Sequence, residues 1–143
     1  MKIDNQWIKY GMEALCETGI VKNGIYKKEI KGYIASLGAA IVQSGLLPAM
    51  IFFGNRSAAA EGREKVEEAL RRILWKARES KDVQFEKSSF QPSLAYYLLE
   101  LDERQNSSVT RSECMAEKEM LYRDVLKATV ALKLALRLFS DKQ

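Results

Sequence analysis

The sequence contains no histidine, and its 143 residues include only two cysteines and two prolines. Without histidine there is no ordinary general base near neutral pH. Ser-His-Asp and Cys-His arrangements are excluded, and so is the commonest metal ligand. Cys16 and Cys114 lie far apart in sequence and cannot build a zinc site without carboxylate help. Both fall at apolar-face positions of helical patterns and read as buried free thiols of a reducing compartment. Neither the phosphate-cradling loop nor the dinucleotide-binding glycine fingerprint occurs. Glu117/Glu119 and Glu64/Glu67/Glu68 read as exposed helix faces rather than metal ligands. The expectation is a protein that is not an enzyme, with no cofactor, no metal and no small-molecule substrate.

Long apolar runs are missing as well. The longest, Gly45 to Phe53, has core length, whereas a membrane span needs ~20 apolar residues. Met1 to Trp7 carries Lys2, Asp4 and Gln6 with no apolar stretch behind it, so no secretory signal or membrane partner is expected and the cytoplasm is the expected location. Strand signals are nearly absent. No β-branched alternating run occurs, and Val21-Lys22-Asn23-Gly24 reads as a helix-to-helix turn. No internal repeat is visible.

What remains is helical periodicity. Hydrophobic content of 47% and charged content of 29% suit a globular protein. We expect one all-α domain over residues 1–143, a compact bundle of about six helices with no sheet. The first helix, about Asp4 to Glu17, shows Trp7, Ile8, Met12, Leu15 and Cys16 on one face. The second, about Tyr26 to Ser44, shows Ile30, Ile34, Leu37 and Ile41. Gly45 ends it, and the apolar piece Leu46 to Phe53 follows as a buried helix. A fourth helix, about Ala60 to Glu79, turns Val66, Leu70, Ile73 and Leu74 inward. Its acidic residues come early and its basic ones late, which complements the helix dipole. Glu61–Lys65, Glu67–Arg71 and Glu68–Arg72 are four-residue pairs of a solvated face. Pro92 opens a fifth helix with Leu94, Tyr97, Leu98 and Leu101 inward. Arg104 to Val109 reads as a linker-like loop, and Thr110-Arg111-Ser112-Glu113 as a capping box. The last helix runs to about Ser140 with Cys114/Met115, Leu121/Tyr122, Val125, Thr129, Leu132, Leu136 and Phe139 on its apolar side.

Net charge is +4. It gathers in two places: Lys22, Lys27, Lys28 and Lys31 near the second helix, and Arg123, Lys127, Lys133 and Arg137 along the last. Each set reads either as a solvated helix face or as a set of phosphate contacts. Ala35, Gly38 and Ala39 form a small-residue surface that would let another helix approach closely. Phe52, Phe53, Tyr96 and Tyr97 read as core or subunit-contact residues before base-stacking platforms.

The stretch Lys27 to Gly54, KKEIKGYIASLGAAIVQSGLLPAMIFFG, resembles the most recognisable part of the small helical subunit of the Cmr complex, the type III-B CRISPR effector that silences RNA (the fifth Cmr subunit family). The resemblance rests on a basic lead-in, an apolar helix, the step Ser44-Gly45-Leu46-Leu47 and the closing Phe52-Phe53. Tyr122 to Thr129 and Leu136 to Phe139 are similar to the family's last helix. The resemblance implies an all-helical bundle that stacks with copies of itself beside a filament of larger backbone subunits. It implies help in holding target RNA opposite the guide RNA for antiviral defence, with cleavage left to other subunits. On that footing Lys22, Lys27, Lys28, Lys31, Arg123, Lys127, Lys133 and Arg137 are the candidate RNA-binding residues. Two other readings compete: a helical adaptor for an acidic protein, and a helix-turn-helix DNA-binding regulator using Gly19 to Lys31. The second is the weaker, because a four-lysine helix is a poor reader of bases.

Overall fold

Asp4 starts the first helix by accepting the Trp7 N–H on its carboxylate at 3.0 Å, which satisfies one of the donors a helix leaves open at its N-terminus. In the computed structural model, which describes residues 3–54, 61–81, 87–105 and 111–141, this helix, α1, runs Asn5–Glu17. Its inward face is Trp7, Gly11, Ala14 and Leu15, not the expected line of large apolar residues. Ile8 and Met12 are half-buried and Cys16 is exposed, correcting the expectation of a buried thiol. The reason is Gly11. A Cβ there would lie 3.1 Å from the Ala131 carbonyl oxygen and 3.1 Å from Ala135 Cβ. The chain at Ala131 and Ala135 packs against a residue that has no side chain, and that contact turns Gly11 inward.

After Gly19 the chain makes a hairpin, β1 (Val21–Lys22) and β2 (Ile25–Tyr26), paired antiparallel with Val21 opposite Tyr26. Asn23 and Gly24 have φ of 56° and 76°, the two positive values that a type I′ turn requires. A third strand, β3 (Ser140–Asp141), joins β2 in parallel, and the Ser140 N–H donates to the Gly24 carbonyl at 3.0 Å. The expected helix-to-helix turn is therefore a hairpin, and the expected absence of any sheet is corrected to a three-stranded one. Strands of two residues are too short for alternation to register in the sequence.

The remaining elements are α2 (Lys28–Ser44), α3 (Leu46–Phe53), α4 (Glu61–Lys81), a 3-10 turn (Lys87–Phe90), α5 (Leu94–Gln105) and α6 (Arg111–Leu136). Among the described residues the protein is thus a mostly helical fold of six helices, as its periodicities predict. Ile30, Ile34, Leu37 and Ile41 are buried. Gly45, at φ 93°, both ends α2 and begins α3. In α3, Leu46, Ala49, Met50 and Phe53 are buried, while Ile51 and Phe52 are each more than half exposed. The expected buried helix is two-faced.

The charges of α4 do more than coat a solvated face. Glu67 and Arg71 are buried and meet at 2.6 Å. Glu67 also accepts the Leu94 N–H at 2.9 Å, and Arg71 donates to the Gln91 side-chain oxygen at 2.8 Å. This pair pins the start of α5 to α4. Arg72 reaches Glu17 at 2.9 Å and Lys76 reaches Glu13 at 2.9 Å and Glu17, joining α4 to α1. Arg78 grips the Glu117 carboxylate through both terminal nitrogens at 2.6 and 2.5 Å, and the Tyr97 hydroxyl donates to the same carboxylate at 2.6 Å. Burial pushes the Tyr97 phenol well above its ordinary pKa, and the Glu117 hydrogen bond and charge push it further. Glu67 and Glu117 are therefore internal struts rather than exposed carboxylates.

The 26-residue α6 packs against α1, α2, α4 and α5. Cys114, Leu121, Val125, Thr129, Leu132 and Leu136 are buried as its spacing predicts, whereas Met115 faces outward. Helix α5 runs through Arg104 to Gln105. The rest of the linker-like stretch, Thr110 of the capping box, the side chain of Glu61, and Lys142 lie outside the described residues. No helix among the described residues is long and apolar enough to cross a membrane.

Candidate nucleic-acid interface

Because Ile30 and Ile34 point into the core, Lys28 and Lys31 point out of α2. The same logic applies on α6, where buried Leu132 and Leu136 leave Lys133 and Arg137 on the outside, one turn apart. Strand β3 then draws the end of α6 against the hairpin that leads into α2. The result is a groove of about 510 Å³ whose walls include Lys31, Lys133, Arg137, Tyr26, Phe139 and Asp141. Three cations from opposite ends of the chain share it. Tyr26 is buried at its edge, and burial, helped by the negative charge of Asp141, raises the pKa of its hydroxyl. It stays protonated near neutral pH and can donate.

Such a lining offers point charges, the hydroxyls of Tyr26 and Ser140, and an aromatic edge. It can hold phosphate and sugar without reading sequence, because lysine and arginine contacts to a backbone carry no base information. Among the described residues no group of three or more His, Cys, Asp or Glu side chains could hold a metal ion.

The other candidate residues go elsewhere. Lys22 and Lys27 line a second groove of about 420 Å³ together with Lys65. Lys28 is exposed at the start of α2 and lines neither groove. Arg123 is exposed and lies 4.0 Å from Glu119, one turn back on α6. Lys127 is half-buried, its ammonium 4.3 Å from the centre of the Trp7 ring, a cation–π contact that ties α6 to α1. Arg123 sits ten residues before Lys133, roughly 15 Å along the helix axis.

Sequence reasoning missed Tyr26 and Asp141 as groove residues. The signal available was Asn23-Gly24, the strongest short hairpin cue, without which the two basic segments have no stated reason to meet. The small surface on α2, expected to let another helix approach closely, is largely open instead. Ala35 and Ala39 are exposed, a Cβ on Gly38 would meet only Thr129 Cγ2 at 3.9 Å, and a Cβ on Gly32 would meet nothing within 4 Å. Nor does Gly19 to Lys31 form a helix-turn-helix. That motif needs two helices joined by a turn of about three or four residues, whereas here the β-hairpin intervenes between α1 and α2.

Residues 6–126 match the family described as CRISPR-associated protein (Cas_Cmr5). No curated protein and no solved structure matches the chain. The matched stretch covers the hairpin, α2, the Gly45 junction and α3, and ends on α6 just before Lys127; Lys133 and Arg137 lie beyond it. Spanning most of the sequence and reaching all six helices, the match shows that this chain belongs to the Cmr5 family of CRISPR-associated proteins.

Proposed function

We propose that this chain is the non-catalytic small subunit of a type III-B Cmr effector complex. In the cytoplasm it stacks with copies of itself beside the filament of larger backbone subunits. There it helps hold target RNA opposite the guide RNA during antiviral defence, and strand cleavage belongs to other subunits. Family membership supports the complex. The observation that carries the RNA role is the shared groove, where Lys31 of α2 meets Lys133 of α6 and Arg137 just beyond that helix, beside Tyr26 and Phe139. A complex whose specificity comes from base pairing needs such sequence-blind contacts.

The groove also ranks five of the eight candidate residues. Lys31, Lys133 and Arg137 act together on one RNA segment. Arg123 and Lys127 contribute less, since Glu119 and Trp7 already engage them.

The test is single-stranded RNA binding, read by fluorescence anisotropy across a salt series. Each phosphate neutralised on a single strand contributes about 0.7 to the slope of log affinity against log salt. Three contacts give about 2, or roughly an 18-fold loss between about 50 and 200 mM salt. The variant K31Q/K133Q/R137Q should bind weakly with a slope lower by about that amount, and RNA should remain uncut by the isolated chain. If the triple variant binds RNA like the wild type at every salt concentration, the groove is not the RNA site. The rival reading, an adaptor for an acidic protein, would then account for these cations better.

A further inference from the structure

The second groove shares Tyr26 with the first but differs in chemistry. Its floor is aliphatic, built from Ile20, Ile25 and Ile30, and Ile25 is 47% exposed. Lys22, Lys27 and Lys65 rim it. Among the described residues Lys22 and Lys27 have no carboxylate partner. Ile20 and Ile30 are already buried, but a phosphate backbone would leave Ile25 uncovered. The occupant that fits brings an apolar side chain for the floor and carboxylates for the rim.

One element of this chain carries that pattern. On α5, Tyr96 and Leu99 are 49% and 47% exposed, and Glu100 and Glu103 follow at the spacing that keeps all four on one helical face. Neither glutamate has a partner among the described residues. Helix α5 is held by α3, α6, the 3-10 turn and Glu67 of α4, whereas the groove is made by the turn after α1, the hairpin, the start of α2 and Lys65 of α4. The two surfaces therefore belong to different elements of the same molecule, each with unspent charge of opposite sign around exposed apolar side chains.

We propose that the α5 face of one copy docks into the lysine-rimmed groove of a second copy. This rests on the self-stacking reading above and names the surfaces that stacking would use. The contact joins two unlike patches, so it does not close on a pair. Each added copy exposes another groove and another α5, which makes the assembly an open stack or a ring. Its attraction is partly electrostatic and should weaken as salt screens it.

Two charge-reversal variants test this by sedimentation velocity on the full chain, at about 100 mM and about 500 mM salt. Wild type should form species larger than a dimer as concentration rises, and less so at high salt. K22E/K27E and E100K/E103K should each associate at least tenfold more weakly. An equimolar mixture of the two should recover association, since the reversed groove accepts the reversed helix and the intact groove the intact one. E100K/E103K should keep the salt slope for RNA, because Lys31, Lys133 and Arg137 are untouched. Circular dichroism melts check folding, which these side chains do not support through any described contact. If both variants associate like the wild type, the α5-to-groove contact is wrong although stacking stands. If the mixture recovers nothing, or association ignores salt, charge complementarity is wrong. A wild type that stays monomeric into the millimolar range overturns both this contact and self-stacking of the isolated chain, while leaving the RNA role to its own test.

Discussion

Replacing Glu67 with alanine removes a carboxylate that is 1% exposed and serves two helices at once. Two consequences follow from the geometry. Arg71, 8% exposed, loses its partner at 2.6 Å and keeps only the Gln91 oxygen at 2.8 Å. The Leu94 N–H, which reaches Glu67 at 2.9 Å from a fully buried residue, loses its acceptor. The first turn of α5 keeps only the Ser93 hydroxyl as a cap, which accepts the Tyr96 N–H at 3.1 Å. Breaking a buried ion pair by deleting one partner costs about 3–5 kcal/mol, because the remaining charge stays buried. With about 2.1 cal/mol/K of unfolding entropy per residue over 143 residues, that corresponds to a fall in melting temperature of about 10–17 °C. The double variant E67L/R71M should lose less than half as much, since an apolar pair of similar volume leaves no charge stranded. Urea unfolding followed by far-ultraviolet circular dichroism and by tryptophan fluorescence measures both, and coincident transitions justify the two-state treatment. A loss below about 1 kcal/mol for E67A would refute the reasoning, since 1 kcal/mol is the scale of an exposed pair. So would additive losses in the double variant.

Two further predictions concern α1 and the glycines. Burial works against ionisation of Glu17, but hydrogen bonds and charge from Lys76 and Arg72 outweigh it and hold the carboxyl below its ordinary value of 4.5. A depressed folded-state pKa stabilises the protein above 4.5 and is lost as pH falls through the lower folded value. E17Q should therefore melt slightly below the wild type at pH 7, by under about 1 kcal/mol because the site is partly exposed, and the gap should narrow progressively as melts are taken at pH values falling below 4.5. Gly11→Ala should destabilise, since its Cβ would meet a backbone carbonyl at 3.1 Å that has little room to yield; ~1 kcal/mol is expected for this overpacking. Gly32→Ala should act in the opposite direction, stabilising by about 0.5–1 kcal/mol, because alanine favours the helix and nothing lies within 4 Å of the new methyl. Equal signs for the two glycines in denaturant melts would contradict these packing distances.

Legibility in the sequence followed the size of the repeating pattern. The line Ile30, Ile34, Leu37, Ile41 spans more than three turns, so its burial could be read directly, and the same is true of Val66 to Leu74 and of the inner side of α6. The α1 face was misjudged because apolar bulk was counted, while Gly11, which meets α6 at Ala131 and Ala135, has none. The α4 charges were read as intrahelical pairs because a sequence shows neighbours at four residues and hides partners at distance. Arg78 with Glu117 and Lys76 with Glu13 are contacts that only the packed helices create. For the candidate interface the residue types were legible and their grouping was not. Lys31 and Lys133 are joined by β3, a strand of two residues whose pairing partner is a hairpin near the other end of the chain. No periodicity can announce a contact of that kind.

The way the tail is fastened to the hairpin has a bearing on how this surface can change over generations. Val21–Lys22, Ile25–Tyr26 and Ser140–Asp141 are held by main-chain pairing, which is indifferent to most side chains. Lys22, Ile25, Ser140 and Asp141 are all exposed, and each lines one of the two grooves. Mutational drift at these four positions can therefore alter what the grooves prefer while leaving their width alone. Proline is the substitution to be purged, since it would remove a donor from the ladder. The groove rims can thus change in chemistry without disturbing the main-chain pairing that shapes them.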